Sequence, residues 1–309
     1  MHLVLFGATG LVGSSALQAM IRRPDVTKVT CISRKPVPMA DGHSKVEIAI
    51  HDDFMTYDEP LLSKIKGATG VVWALGTSQN SVSKDISYGV SNVKHYSVYV
   101  KITRDYTLAA AQAFAKQAAA EPAGSNFVFV SGEGATHSPG MLTPIFGRCK
   151  GETELKLLDL AQASQSRMRT YVVRPGGVDP SQQPEILPFL PKMEVYKTPL
   201  LAVMRIVMKG MHSPTKPLGE FLVALAAGDK GGAALQGEGV ENDGWVVTNR
   251  GFRAQMGLAG TRQRRLGKTV FRKAISLQYN VSSDQIIVNC QIAAEGGAVV
   301  KDKPCDLQS

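Results

Sequence analysis

The chain has 309 residues, 44% hydrophobic and 20% charged, which is enough for one large folded domain and too apolar for a disordered chain. Its net charge of +9 raises nucleic acid as a partner, but no recognition motif accompanies the charge, and eight Lys/Arg against four Asp/Glu fall within residues 259–309, so no nucleic acid is expected. No apolar run reaches the roughly 18 residues of a membrane span, the four cysteines form no C-x-x-C pair, and the six histidines have no ligand spacing, so a span, a disulfide framework and a metal site are all unexpected.

Residues 1–6 form a short apolar run that passes into Gly7-Ala8-Thr9-Gly10-Leu11-Val12-Gly13. Apolar residues at helical spacing follow to 21, and Pro24 ends the pattern. Three glycines between a strand and a helix start make a tight turn. Such a turn lets backbone approach a pyrophosphate, and the helix N-terminus supplies free N–H groups and a positive partial charge. Residues 7, 9, 10, 11, 12 and 13 are therefore candidate cofactor contacts. No charged leader and cleavage site precede the first strand, so a cytoplasmic setting is expected.

Residues 28–32 read as the second strand, ending in Ser33-Arg34-Lys35-Pro36. In a dinucleotide fold the end of this strand meets the adenosine ribose. An acid there binds a free 2′-hydroxyl, and an arginine accommodates a 2′-phosphate. Two cations and no acid point to NADP(H). Residues 45–50 alternate as a third strand, followed by Asp53-Phe54. Asp53 either meets the adenine amino edge, with Phe54 beside it, or caps the next helix. Residues 70–77 read as a fourth buried strand whose end, Ala74-Leu75-Gly76-Thr77, runs under the nicotinamide ribose.

Residues 78–96 read as a polar insertion near the active-site mouth and 98–119 as a long helix. Residues 126–130 form a fifth strand ending in Ser131-Gly132-Glu133-Gly134-Ala135. A helix from Pro144 through 160 carries Phe146, Lys150, Glu152 and Glu154, and a sixth strand at 170–173 ends in Arg174-Pro175-Gly176. From about 181 the pattern changes to substrate-side elements, with helices expected at 200–208 and 218–227, a last strand at 245–247 and a short helix at 250–258. Residues 259–309 read as a basic appendage without periodicity, partly disordered. The fold class is α/β: a doubly wound parallel sheet of Rossmann type over residues 1–258, with a small substrate-side region.

The pieces at 7–13, Ser33-Arg34, Asp53-Phe54, 74–77, Arg104-Asp105-Tyr106, 130–135, Lys150-Gly151-Glu152 and Arg174-Pro175-Gly176 occur together and in order. In them the chain resembles the atypical short-chain dehydrogenase/reductases of the NmrA-like branch. That branch includes the Tat-interacting oxidoreductase-like proteins and fungal members that are nucleoside-diphosphate-sugar epimerase-like. The resemblance implies NADP(H) and a small-molecule substrate or ligand. It assigns cofactor contacts to 74–77, Lys150 and 174–176, and a substrate-orienting hydroxyl to Ser131. The family's Tyr-x-x-x-Lys stands here as Phe146-Gly147-Arg148-Cys149-Lys150, so the ring is kept and the proton donor lost.

Other groups near the missing phenol are Tyr106, read first as a half-buried core residue, His137, read first as a solvated loop histidine, and Cys149, turned off the Lys150 face. Three functions follow: an NADP(H)-dependent oxidoreductase on a carbonyl or enone with a non-standard proton donor, a redox-silent NADP(H)-binding regulator, or an isomerase or cyclase without net redox. The sequence fixes neither the substrate nor the oligomeric state.

Overall fold

The computed structural model describes residues 1–76, 97–120, 124–164, 167–190 and 208–258. Thr77, the insertion at 78–96, the helix at 200–208 apart from its last residue, and the tail from 259 lie outside the described residues.

Strand β1 (His2–Phe6) leads into helix α1 (Leu11–Arg22), β2 (Lys28–Ser33), β3 (Val46–Ile50), helix α2 (Glu59–Ile65) and β4 (Gly70–Trp73). Past the insertion a π-helical turn, Lys101–Asp105, continues into helix α3 (Tyr106–Ala120). Then come β5 (Ser125–Val130), helix α4 (Ile145–Ala163), β6 (Met168–Val173), β7 (Gly177–Asp179), β8 (His212–Pro214), helix α5 (Thr215–Ala227), β9 (Val240–Glu241), β10 (Val246–Val247) and helix α6 (Asn249–Gln255).

The main sheet has the order β3-β2-β1-β4-β5-β6-β10-β9, and β7 pairs with β8 in a small separate sheet. Every pairing is parallel except β10 with β9. The order reverses between β1 and β4, and the crevice at such a switch point is where open α/β sheets bind ligands. The glycine turn after β1 and residues 74–76 after β4 therefore meet at that crevice.

Successive side chains of a strand point to opposite faces. Leu3 and Leu5 of β1 enter one core, Val4 and Phe6 the other; Val128 and Val130 of β5 enter the first, Phe127 and Phe129 the second. Both faces are covered, so these strands read as unbroken apolar runs. Leu17 and Met20 of α1 with Leu218, Phe221, Leu222 and Leu225 of α5 cover the first face. Leu61 of α2, Phe114 of α3 and Leu157 of α4 cover the second. The first layer is close enough to need glycine: a Cβ on Gly70 of β4 would overlap the Ala226 carbonyl of α5.

Two-residue and three-residue strands carry no period, so β7, β8 and β9 have no sequence signature. Helix α2 is capped by Asp58, whose side chain accepts from the Leu61 N–H, not by Asp53. Gly70→Ala should cost about 1–3 kcal/mol, the usual cost of overpacking a filled core. Urea unfolding measures it, and an unchanged midpoint would contradict the close packing of α5 on β4.

Candidate active site

The glycine turn is set by sterics. Gly7 has φ +78° and lies against the end of β4, where a Cβ would come 2.5 Å from the Ala74 carbonyl oxygen. Only glycine adopts that conformation without strain. Gly13 packs on the Gly7 carbonyl with no room for a side chain. Gly10 differs: a Cβ there would meet only the Gly7 oxygen, at 3.3 Å, so its outer side is open to a ligand. Gly10 is also the N-cap of α1 and gives no side-chain cap, and the first turn holds no acid. The N–H groups of this turn, with Thr9 exposed beside them, suit an anionic group. These residues fit a dinucleotide pyrophosphate.

At the end of β2, Ser33 accepts a hydrogen bond from the Lys35 N–H at 3.2 Å and is buried. Arg34 and Lys35 are exposed, and their side chains make no hydrogen bond or ion pair among the described residues. Asp53 is exposed and accepts from the Met55 N–H at 3.1 Å. The ring of Phe54 is placed otherwise than expected. It is 1% exposed and packs edge-on against Phe6 and Trp73, so it supports the Asp53 loop from the core and offers no face to a ligand. Ala74 and Leu75 are half-buried and Gly76 is exposed, with open space where a Cβ would lie.

The second half of the site lies on α4. Phe146, Lys150 and Glu154 stand four residues apart and share one helical face. Lys150 Nζ donates to the Ser131 carbonyl at 2.7 Å and to the Val130 carbonyl at 3.3 Å. It lies 5.6 Å from the Phe146 ring centre and 5.9 Å from that of Phe129. Burial pushes its pKa down to about 8, against the opposing pull of Glu154 and Cys149.

Glu154 is completely buried. Ser131 Oγ donates a short hydrogen bond to its Oε1. His137 Nε2 lies 2.7 Å from Oε2 and 3.2 Å from Arg174 Nη2. Arg174 Nε lies 3.1 Å from both oxygens, and its Nη1 reaches Glu241 of β9 at 3.0 Å. Burial works against the Arg174 charge, yet Glu154, Glu241 and Glu133 hold its pKa above the ordinary arginine value.

Three expectations change here. The Ser131 hydroxyl is directed at Glu154, away from a substrate-orienting role. The Arg174 guanidinium is engaged by two carboxylates, so only backbone on 174–176 is left for a ligand. Even that is bound up: Pro175 O accepts from the Glu133 N–H at 2.8 Å, and the Gly176 N–H donates to Ser213 Oγ at 2.9 Å. His137 is a fixed member of the cluster and no solvated loop residue. Tyr106 is half-buried, its ring centre 5.6 Å from that of Phe54, and Cys149 is buried, with its thiol pushed up to about 11 by burial. Glu154 itself was missed; its signal was the 146-150-154 spacing, which puts a carboxylate in line with the two site residues.

Next to this face an open cleft of about 880 Å³ is lined by Gly134, Thr136, Thr143, Pro144 and two exposed apolar side chains, Met141 and Leu142. Arg148 holds the loop's shape by donating to the carbonyls of Thr143, Gly140 and Met141. Among the described residues no group of His, Cys, Asp and Glu could hold a metal ion, and no helix is long and apolar enough to cross a membrane.

No family model matches the chain. It is 45% identical over 140 residues to botcinic acid biosynthesis cluster B protein 16 of Botryotinia fuckeliana (strain B05.10), covering 43% of this chain and 87% of that protein. It is 36% identical over 215 residues to leucinostatins biosynthesis cluster protein T of Purpureocillium lilacinum, covering 64% of this chain and 72% of that one. Among solved structures, an oxidoreductase of the short-chain dehydrogenase/reductase family from Burkholderia thailandensis superposes with a TM-score of 0.58 at 16% identity, over 84% of this chain and 94% of that chain. A UDP-glucuronic acid 4-epimerase from Bacillus cereus, in complex with NAD, gives 0.52 at 14% identity, over 80% and 78%. These likenesses show a shared Rossmann-type fold.

Removing Glu154 would leave the Arg174 charge, 7% exposed, without its buried partner. Glu154→Ala should therefore cost about 3–5 kcal/mol, the usual result of breaking a buried ion pair from one side. Urea unfolding is the measurement, and a loss below about 1 kcal/mol would mean that the cluster does not hold the fold together.

Proposed function

We propose that this chain, which belongs to the family of botcinic acid cluster B protein 16 and leucinostatins cluster protein T, is an NADP(H)-dependent oxidoreductase acting on a carbonyl or enone of a small biosynthetic intermediate. The observation that carries this reading is the pairing of an uncapped glycine turn at the sheet's switch point with two cations at the end of β2, Arg34 and Lys35, that have no partner among the described residues. The helix N-terminus suits a pyrophosphate, and the cations suit a 2′-phosphate. The order and identity of the sequence motifs support the NmrA-like branch, and a cytoplasmic setting belongs to the same proposal.

When bound, a reduced nicotinamide supplies a hydride. The chain's own residues bind and orient: the turn at 7–13 takes the pyrophosphate, Arg34 and Lys35 the 2′-phosphate, Asp53 the adenine edge, residues 74–76 the nicotinamide ribose by backbone approach, and Lys150 a ribose hydroxyl. The apolar cleft beside Met141 and Leu142 suits an apolar intermediate. A second reading, a redox-silent NADP(H)-binding regulator or a non-redox isomerase, draws support from a single fact: neither Phe146 nor Ser131 presents a hydroxyl to this cleft.

Arg34→Ala should weaken NADPH binding by about tenfold or more, as loss of a charge-assisted contact to phosphate does, and leave NADH nearly unchanged. Calorimetric titration with both cofactors decides it, and equal losses would refute the assignment. We propose further that residues 259–309 form a separate basic appendage. A chain ending at Leu258 should then unfold cooperatively and bind NADPH as the full chain does; loss of either property would make the tail part of the domain.

A further inference from the structure

The face of α4 that carries Phe146 and Lys150 lacks both of the hydroxyls that a reductase of this resemblance would use on its substrate's oxygen. Position 146 is phenylalanine, and the Ser131 hydroxyl is spent on Glu154. What stands opposite Phe146 is Gly132. A Cβ there would lie 2.9 Å from Phe146 Cζ and 3.9 Å from Lys150 Nζ, so Gly132 borders the ring and the amine, while Ser131 meets the amine only through its backbone carbonyl.

Lys150 is the titratable group left at that spot among the described residues. An ammonium has three N–H donors. Two reach the carbonyls of Ser131 and Val130, and the third has no acceptor among the described residues. The longer contact, 3.3 Å to Val130, is the one a ribose hydroxyl can take over, which leaves the third N–H for a substrate. The charged groups around it are accounted for. Glu154, one turn along α4, is neutralised by Arg174 and bonded by His137. Cys149, next in the chain, is a buried thiol. Lys150 forms no ion pair of its own among the described residues.

From this geometry we infer that Lys150 is the proton donor of the site, taking over the task of the missing phenol. The inference rests on the oxidoreductase reading. As the carbonyl carbon gains a hydride with its electron pair, the π pair moves to the carbonyl oxygen. A Lys150 N–H bond then breaks: the proton goes to that oxygen, the bonding pair stays on nitrogen, and solvent returns a proton to the amine. The carbonyl is reduced to an alcohol, and the reduced nicotinamide is oxidised. Burial helps by bringing the amine down to about 8. It is then mostly protonated at neutral pH and a better acid than an ordinary lysine.

The test uses the full chain, NADPH, and 4-nitrobenzaldehyde and 9,10-phenanthrenequinone as probe carbonyls. Single-turnover NADPH oxidation should fall about tenfold per pH unit above about 8, as the ammonium is lost. Lys150→Arg keeps a cation but cannot give up a proton in this range. It should hold NADPH within about threefold, lose about 10²–10⁴ in rate and lose the limb near 8. Competitive acetylation of wild type, read by mass spectrometry, gives the amine's titration even where a variant fails to fold; a midpoint near that of free lysine would overturn the proposal. So would an Arg variant within tenfold of wild type, or one that keeps the limb. NADPH binding without turnover of either probe would also overturn it and leave the cofactor assignment standing. Failure to bind NADPH at all would remove the oxidoreductase reading as well.

Discussion

The carboxylate of Glu154 is the contact on which the geometry of this protein most depends. It is shut away from water, where an unpaired charge would be very costly, and three side chains from separate parts of the chain satisfy it. Ser131 comes from the end of β5, His137 from the loop after it, and Arg174 from the end of β6; Arg174 carries the network on to Glu241 of β9. One buried group thus fixes where two adjacent strands end and how the intervening loop lies over α4. Lys150, one turn back along the helix, takes its place from the same arrangement, since the carbonyls that hold it belong to Val130 and Ser131.

The two halves of the candidate site are built by different physics. The cofactor half is mostly backbone: a left-handed glycine, a close helix–turn contact and an uncapped helix start, with side-chain charge only at its rim. The chemical half is side chain throughout, and its character is set by absences. A phenyl ring stands where a phenol would, a glycine where a hydroxyl could face it, and a serine is bent away into an ion-pair cluster. The shared fold of reductases and epimerases covers both halves, but it bears on the first more strongly than on the second, because a fold positions backbone more faithfully than it dictates chemistry.

The difference in legibility follows from this. Strands β1, β2, β4, β5 and β6 were readable because burial on both faces makes each a bounded apolar run, edge strand β3 because its residues alternate, and the glycine turn because its spacing reflects a steric demand. Helix α5 was visible from its apolar residues at 218–227. The strands β7, β8 and β9 were not, since two or three residues carry no period and form only where neighbours pair with them. Antiparallel β9 exists because β10 offers it an edge. Phe54 misled because an aromatic beside a loop acid looks like a ligand contact, and only burial against Phe6 and Trp73 reveals otherwise. Ser131 misled for the opposite reason: its position suited the substrate, but a residue distant in sequence claimed its hydroxyl.

The contact between Gly132 and Phe146 constrains how this site can change over evolutionary time. A serine at 132 would bring its Cβ to 2.9 Å from Phe146 Cζ, closer than carbon atoms pack, so the ring would have to turn aside to admit it. The two positions are therefore coupled by volume before any chemistry is considered. Substitutions here should be strongly non-additive, as they are for residues in contact. A side chain at 132 could be admitted only together with a smaller or turned ring at 146, so the volume of one position sets what the other can hold.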